Sequence, residues 1–138
     1  MKDSRFMLDT NTASYIIKGP SSALKKHLLQ TPINQLCISA ITEAELLHGV
    51  AKKPGAKHLP LAVKEFLLRV DILAWDSQAA EAYAYLRTNF EKHGKPLGNM
   101  DMLIAAHSVS IDAVLVTNDK AFYNIDKYLS AVDWTQEK

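Results

Sequence analysis

Phe6-Met7-Leu8-Asp9 is a short apolar run that ends on an acid. Three apolar residues in a row, with no alternation, read as a strand buried on both faces. The signature returns at Leu36-Cys37-Ile38 and at Ala113 to Thr117, which is nearly all apolar. Val70 to Trp75 reads as a further strand, and Ala131-Val132 as a short fifth one. Helical spacing fills the gaps between them. Residues 10–18 form a first helical stretch, stopped by Gly19-Pro20. Pro20-Ser21-Ser22 opens a second, with Leu24, His27 and Leu28 on one face, and Thr31-Pro32 closes it. A third starts at Thr42 and carries Leu46, Leu47 and Val50, and a fourth spans 58–69. Asp76 reads as the N-cap of a longer helix with Ala79, Tyr83, Leu86 and Phe90 on its apolar side. A loop, 93–98, precedes a helix over 99–111, and a short helix begins at Asp119. Short apolar strands alternating with helices predict an α/β sandwich around a mostly parallel sheet of four to five strands.

The chain has 138 residues, enough for one domain spanning 1–138 with a substantial core. Apolar residues make up 48% and charged residues 22%, as in an ordinary globular protein. No apolar run reaches the roughly 18–20 residues that cross a bilayer. The polar start, Met1 to Arg5, lacks the apolar stretch of a secretion signal, so a cytoplasmic protein is expected. Cys37 is the only cysteine, so no intrachain disulfide can form, and it reads as a small buried hydrophobe. A net charge of +1 says nothing about a nucleic-acid partner. Two local basic stretches exist, Lys52, Lys53, Lys57 and Lys64, then Arg87, Lys92 and Lys95. Taken alone, each reads as a solvated helix face.

Parallel sheets bind ligands outside the carboxyl ends of their strands. Four acids fall there: Asp9 after the first strand, Glu45 in the first turn of the helix after the second, Asp101 in the first turn of the helix after the glycine-containing loop, and Asp119 after the fourth strand. Each has a structural alternative. Asp9 and Asp119 suit N-caps, Thr42 to Glu45 fits a capping box, and Asp101 suits the positive end of its helix. Together they repel: two unit charges about 5 Å apart cost roughly 3 kcal/mol at an effective dielectric near 20. Such a group needs a cation or takes up protons. Oxygen-only ligands suit Mg2+ or Mn2+, not zinc. Glu43 rivals Glu45, but the two point about 200° apart on a helix, so only one faces a shared pocket. Asn11, Thr117 and Asn118 are candidates for orienting a carboxylate or a bound water.

Phe6-Met7-Leu8-Asp9-Thr10-Asn11 resembles the opening motif of PIN-domain proteins. The segments Ile38 to Gly49, Leu97 to His107 and Leu115 to Asp119 resemble the family's later motifs, in the same order. In order, separation and length the chain looks like the VapC toxins of type II toxin–antitoxin pairs, over about residues 5 to 135. The resemblance implies a three-layer α/β/α sandwich and selects Glu45 over Glu43. It implies a divalent-metal endoribonuclease, usually a dimer, that acts on structured RNA such as transfer RNA, often the initiator. It also implies a cognate VapB-type antitoxin that blocks the site and binds operator DNA, so that DNA is reached only through the antitoxin.

On this reading Asp9, Glu45 and Asp101 hold one or two magnesium ions and Asp119 completes the set. In-line attack by water leaves a 5′-phosphate and a 3′-hydroxyl. An acidic pocket repels RNA, so basic residues must dock the backbone around it; Lys52, Lys53, Lys57, Lys95 and Lys120 are the candidates. His48, three residues after Glu45, is a further contact candidate, whereas the other four histidines read as surface or core residues. Segments 12–18 and 42–69 offer apolar surface for an antitoxin groove. The main alternative is a silent module of the same fold, in which the acids only cap helices and the protein binds RNA or a protein partner without cutting.

Overall fold

Strand β1, Phe6–Leu8, occupies the centre of the sheet because it pairs on both sides, with β2 (Leu36–Ser39) and with β4 (Val114–Val116). The computed structural model describes residues 4–94, 97–125 and 129–136. β3 (Asp71–Leu73) continues the sheet beyond β2, and β5 (Ala131–Val132) continues it beyond β4. The order is therefore β3-β2-β1-β4-β5, and every described pairing is parallel. The chain builds outward from β1 in one direction, then returns to build in the other. The crevice between the carboxyl ends of β1 and β4 is thus the topological switch point, where such sheets bind ligands.

The unalternating strands are explained by two cores, one on each face. Met7, Cys37 and Leu115 point to one side, against Leu86, Phe90 and Ile104. These belong to α5 (Ser77–Lys92) and α6 (Asn99–Ser110). Their strand neighbours Leu8, Ile38 and Val116 point to the other side, against Ala13, Leu24, Leu46 and Phe66. Those residues come from α1 (Thr10–Lys18), α2 (Ser22–Gln30), α3 (Ala40–Ala51) and α4 (Leu59–Arg69). The result is the three-layer α/β/α sandwich that the resemblance implied. Trp134, buried, closes the second core beside Phe6 and stacks on His27 at 5.5 Å. No described helix is long and apolar enough to cross a membrane.

Several boundaries differ from the sequence reading, each for a local reason. α3 starts at Ala40, not Thr42, because the Ser39 hydroxyl accepts the Ile41 amide at 3.0 Å and caps the helix as soon as the strand ends. Glu45 therefore stands in the second turn and the capping box does not form. β3 shrinks to three residues because its only partner is β2, and Trp75 turns away to donate its indole N–H to the Leu103 carbonyl at 2.9 Å. β4 pairs only over Val114–Val116. Asp119 opens a 3-10 turn, Lys120–Ile125, and another such turn, Ile33–Gln35, had no signal in the sequence.

Ser39 does a second job. Its Oγ lies 2.8 Å from Nδ1 of His107, and both residues are buried. Burial lowers the His107 pKa, so the ring is neutral and pairs with a neutral hydroxyl. The pair ties α6 to the β2–α3 junction inside the sandwich. Ser39→Ala removes a cap and leaves a buried ring nitrogen without its partner. It should lower stability by about 2 kcal/mol, read as a reduced urea midpoint with an unchanged m-value.

Candidate active site

Asp9 is the first residue after β1, and it is 3% exposed. One carboxylate oxygen accepts the Thr12 amide at 2.8 Å and so caps α1. The backbone of Asp9 still belongs to the sheet, its N–H donating to the Val116 carbonyl at 3.1 Å. Thr12 donates its hydroxyl to that same carbonyl, which pins the start of α1 onto β4. Burial raises the Asp9 pKa; the hydroxyl of Thr117 and the amide and hydroxyl of Thr12 oppose the rise, and the Asp119 charge adds to it. The Thr117 hydroxyl oxygen in turn accepts the Asp119 amide at 3.1 Å. Thr117 thus joins the acid after β1 to the acid after β4.

Asp119 accepts the Ala121 amide on Oδ1 at 3.0 Å, which fixes its carboxylate at the start of the 3-10 turn. Glu45 is fixed from outside its own helix: Thr10 donates its hydroxyl to Oε1 at 2.5 Å, and the same hydroxyl lies 3.2 Å from that of Thr42. Asp101 stands in the first turn of α6, whose N-cap, Gly98, supplies no side-chain bond. Its Oδ2 lies 3.6 Å from where a β-carbon on Gly98 would be. Asp101 is pushed up to about 6, first by burial, then by the charges of Asp119, Asp9 and Glu45. Glu43 is not among those charges. The topology therefore places Asp101 within electrostatic range of Asp119, Asp9 and Glu45, and Asp9 within range of Asp119. Among the described residues no ion pair neutralises them; the pairs present are Arg5–Asp71 and Arg87–Glu91.

The PIN domain family matches residues 6–128. The tRNA(fMet)-specific endonuclease VapC of Salmonella typhimurium is 34% identical over 131 residues, covering 94% of this chain and 98% of the relative. This chain belongs to the VapC ribonucleases of the PIN-domain family. Solved relatives agree. The DNA-bound VapBC of Salmonella typhimurium superimposes with a TM-score of 0.87 at 31% identity, over 96% of this chain and 99% of that one. VapBC2 of Rickettsia felis, bound to a fragment of its promoter, gives 0.84 at 35%, over 94% and 98%.

The acids of this VapC-family site offer only hard oxygen donors. Among the described residues no three His, Cys, Asp or Glu side chains already close on one point. A magnesium ion does not require that, since it keeps several waters and binds through one or two carboxylates together with substrate phosphate. An uncompensated cluster with one carboxyl raised to about 6 fits such an ion.

The other residues singled out in the sequence divide. Thr117 touches the cluster, whereas Asn11 is exposed and, among the described residues, neither it nor Asn118 makes a side-chain hydrogen bond. Lys52 and Lys53 line a cavity that Glu45 also lines. Lys57 and Lys120 are exposed and outside that cavity, although Lys120 adjoins Asp119. Lys95 lies outside the described residues. His48 is exposed on α3. The sequence reading missed Thr10 and Thr12. A hydroxyl directly after a strand-end acid was the available signal, but Thr10 finds Glu45 only through the tertiary fold.

A carboxyl whose pKa is raised on folding binds its proton more tightly in the folded state, so stability falls as pH rises from about 4 to 6. Without divalent ions, Asp101→Asn should equal the parent chain at pH 4. At pH 7 it should be more stable by about 1 kcal/mol, a figure reduced by solvent screening of a partly exposed group. Urea unfolding at the two pH values reads the difference.

Proposed function

We propose that this chain is the toxin of a type II toxin–antitoxin pair. It would be a magnesium-dependent endoribonuclease that hydrolyses phosphodiester bonds in structured RNA, with initiator transfer RNA the first substrate to test. The observation that carries the reading is that Asp101 stands within range of three like charges, Asp119, Asp9 and Glu45, with no ion pair to offset them among the described residues. The Salmonella typhimurium relative, a tRNA(fMet)-specific endonuclease, supports transfer RNA as the substrate class. The VapBC complexes among the structural relatives support a VapB-type antitoxin as partner. Operator DNA would be reached through that antitoxin, and the active unit would be a homodimer.

Asp9, Glu45 and Asp101 would hold the ion, Mg2+ or its substitute Mn2+, and Asp119 would complete the set directly or through water. Once bound there, such an ion would supply Lewis-acid activation of water near neutral pH and offset charge on the phosphate. The chain supplies rigidity. Thr12 and Thr117 hold Asp9, the Ala121 amide holds Asp119, and Thr10 holds Glu45. Carboxylates fixed in this way need little reorganisation as charge develops, which is where preorganised sites gain their rate. Among the described residues Asp101 has no such clamp, and the N-cap of its helix, Gly98, supplies no side-chain bond. With the Asp101 carboxyl raised, ion binding must displace a proton below about pH 6, and cleavage should fall there.

The test is to incubate purified protein with transfer RNA and magnesium, with and without chelator. Chelator should abolish cleavage, and the products should carry 5′-phosphates. Asp9→Asn and Asp101→Asn should each lower the rate by about 1000-fold, and Thr10→Val by about 10- to 100-fold through loss of Glu45 orientation. Tight RNA binding without any cleavage would point instead to the silent module, a reading to which the capping roles of Asp9 and Asp119 lend support.

A further inference from the structure

Gly49 lies inside α3, where glycine weakens a helix relative to alanine. Nothing in the fold demands it. Its φ is not in the left-handed region, and a β-carbon built on it would meet no atom within 4 Å. Tight packing and turn geometry are therefore both excluded as reasons. What Gly49 does face is a cavity of ≈ 200 Å³ formed by α1, α3 and the start of α4. Lys18, Lys52 and Lys53 line it, and Glu45 is the only acid among its walls. Ile17, Leu46 and Val63 give it an apolar side.

We propose that this cavity is a subsite for one nucleotide of the RNA strand beside the cleaved bond, and that Gly49 stays small to leave room for it. The inference rests on the ribonuclease reading of the site. Three lysines against one glutamate favour an anion, and an apolar wall favours a flat ring face; a nucleotide carries both. Continuity favours RNA over a peptide. Glu45 belongs at once to the acidic cluster and to the cavity wall, so a strand with its phosphate at the cluster runs directly into the cavity. A partly open cavity of ≈ 200 Å³ suits a single base. Ring faces and backbone charge are common to all nucleotides, so this position reads base identity weakly. Lys18, four residues before the second helix opens, joins Lys52 and Lys53 as a phosphate-docking residue.

The test is to fill the cavity without disturbing the fold. Gly49→Leu projects into open space and removes a helix-weakening residue, so its thermal midpoint should match or exceed that of the parent chain; Gly49→Ala provides a smaller step. Affinity for a short single-stranded oligoribonucleotide is measured in chelator, by anisotropy, so that the readout does not depend on cleavage. Gly49→Leu should weaken binding about 10-fold, within what one stacked base contributes, and Gly49→Ala much less. Lys18→Gln should reduce the salt slope by roughly 0.7, while Lys25→Gln on α2 should leave it unchanged. Unchanged RNA affinity in a folded Gly49→Leu overturns the subsite. So does unchanged RNA affinity accompanied by loss of inhibition by the antitoxin, which would make the cavity a protein dock. A parent chain that binds RNA with this Gly49 dependence yet never cleaves it with magnesium would leave the subsite standing and sink the ribonuclease reading instead.

Discussion

Like charges held within range of one another are the constraint around which this protein is arranged. Asp9, Glu45, Asp101 and Asp119 come from four separate elements, and the sheet topology brings their carboxylates to one crevice. Among the described residues no lysine or arginine forms an ion pair with them. Asp101 carries the consequence, its carboxyl pushed up to about 6. Charge left uncompensated in the folded chain is interaction free energy that a divalent ion can recover on binding, which is why a destabilising cluster is compatible with a purposeful site.

The hydroxyls around the cluster show how the arrangement is kept from drifting apart. Thr12 pins the start of α1 to β4, Thr117 links Asp9 with Asp119, and Thr10 reaches from α1 to Glu45 on α3. The structural and functional readings of Asp9 and Asp119 turn out not to compete. A carboxylate has two oxygens and several lone pairs; one oxygen can accept a helix-start amide while the other faces the crevice. The buried Ser39–His107 pair works at longer range, connecting the helix of Asp101 to the junction that launches the helix of Glu45. Gly49 marks the opposite strategy, an absence of side chain beside the cluster that keeps space open.

Much of this could be read along the chain. Apolar triplets such as Phe6-Met7-Leu8, flanked by helical periodicity, announce strands covered on both faces, because only a strand buried twice needs no polar alternation. The resemblance to PIN-domain motifs also chose Glu45 over Glu43. Boundaries were less legible where a single side chain decided them. Ser39 ended β2 and capped α3 in one residue, which moved the helix start back from Thr42. The sequence reading singles out Asn11 for orienting a carboxylate and not Thr10, which directly follows Asp9. Their difference is angular: α1 turns Thr10 toward α3 and leaves Asn11 in solvent.

By itself, then, the sequence determined the alternation of strands and helices, the placement of Asp9 and Asp119 just past strand ends, and the family. These follow from local periodicity and from residue types at fixed offsets. Only the tertiary structure decided which groups meet: Thr10 with Glu45, Thr117 with Asp9, His107 with Ser39, and Lys18 with Lys52 across a shared cavity. Such pairings depend on the strand order β3-β2-β1-β4-β5 and on how each helix rolls against the sheet. Both are set by packing between residues far apart in the chain, which local pattern does not encode.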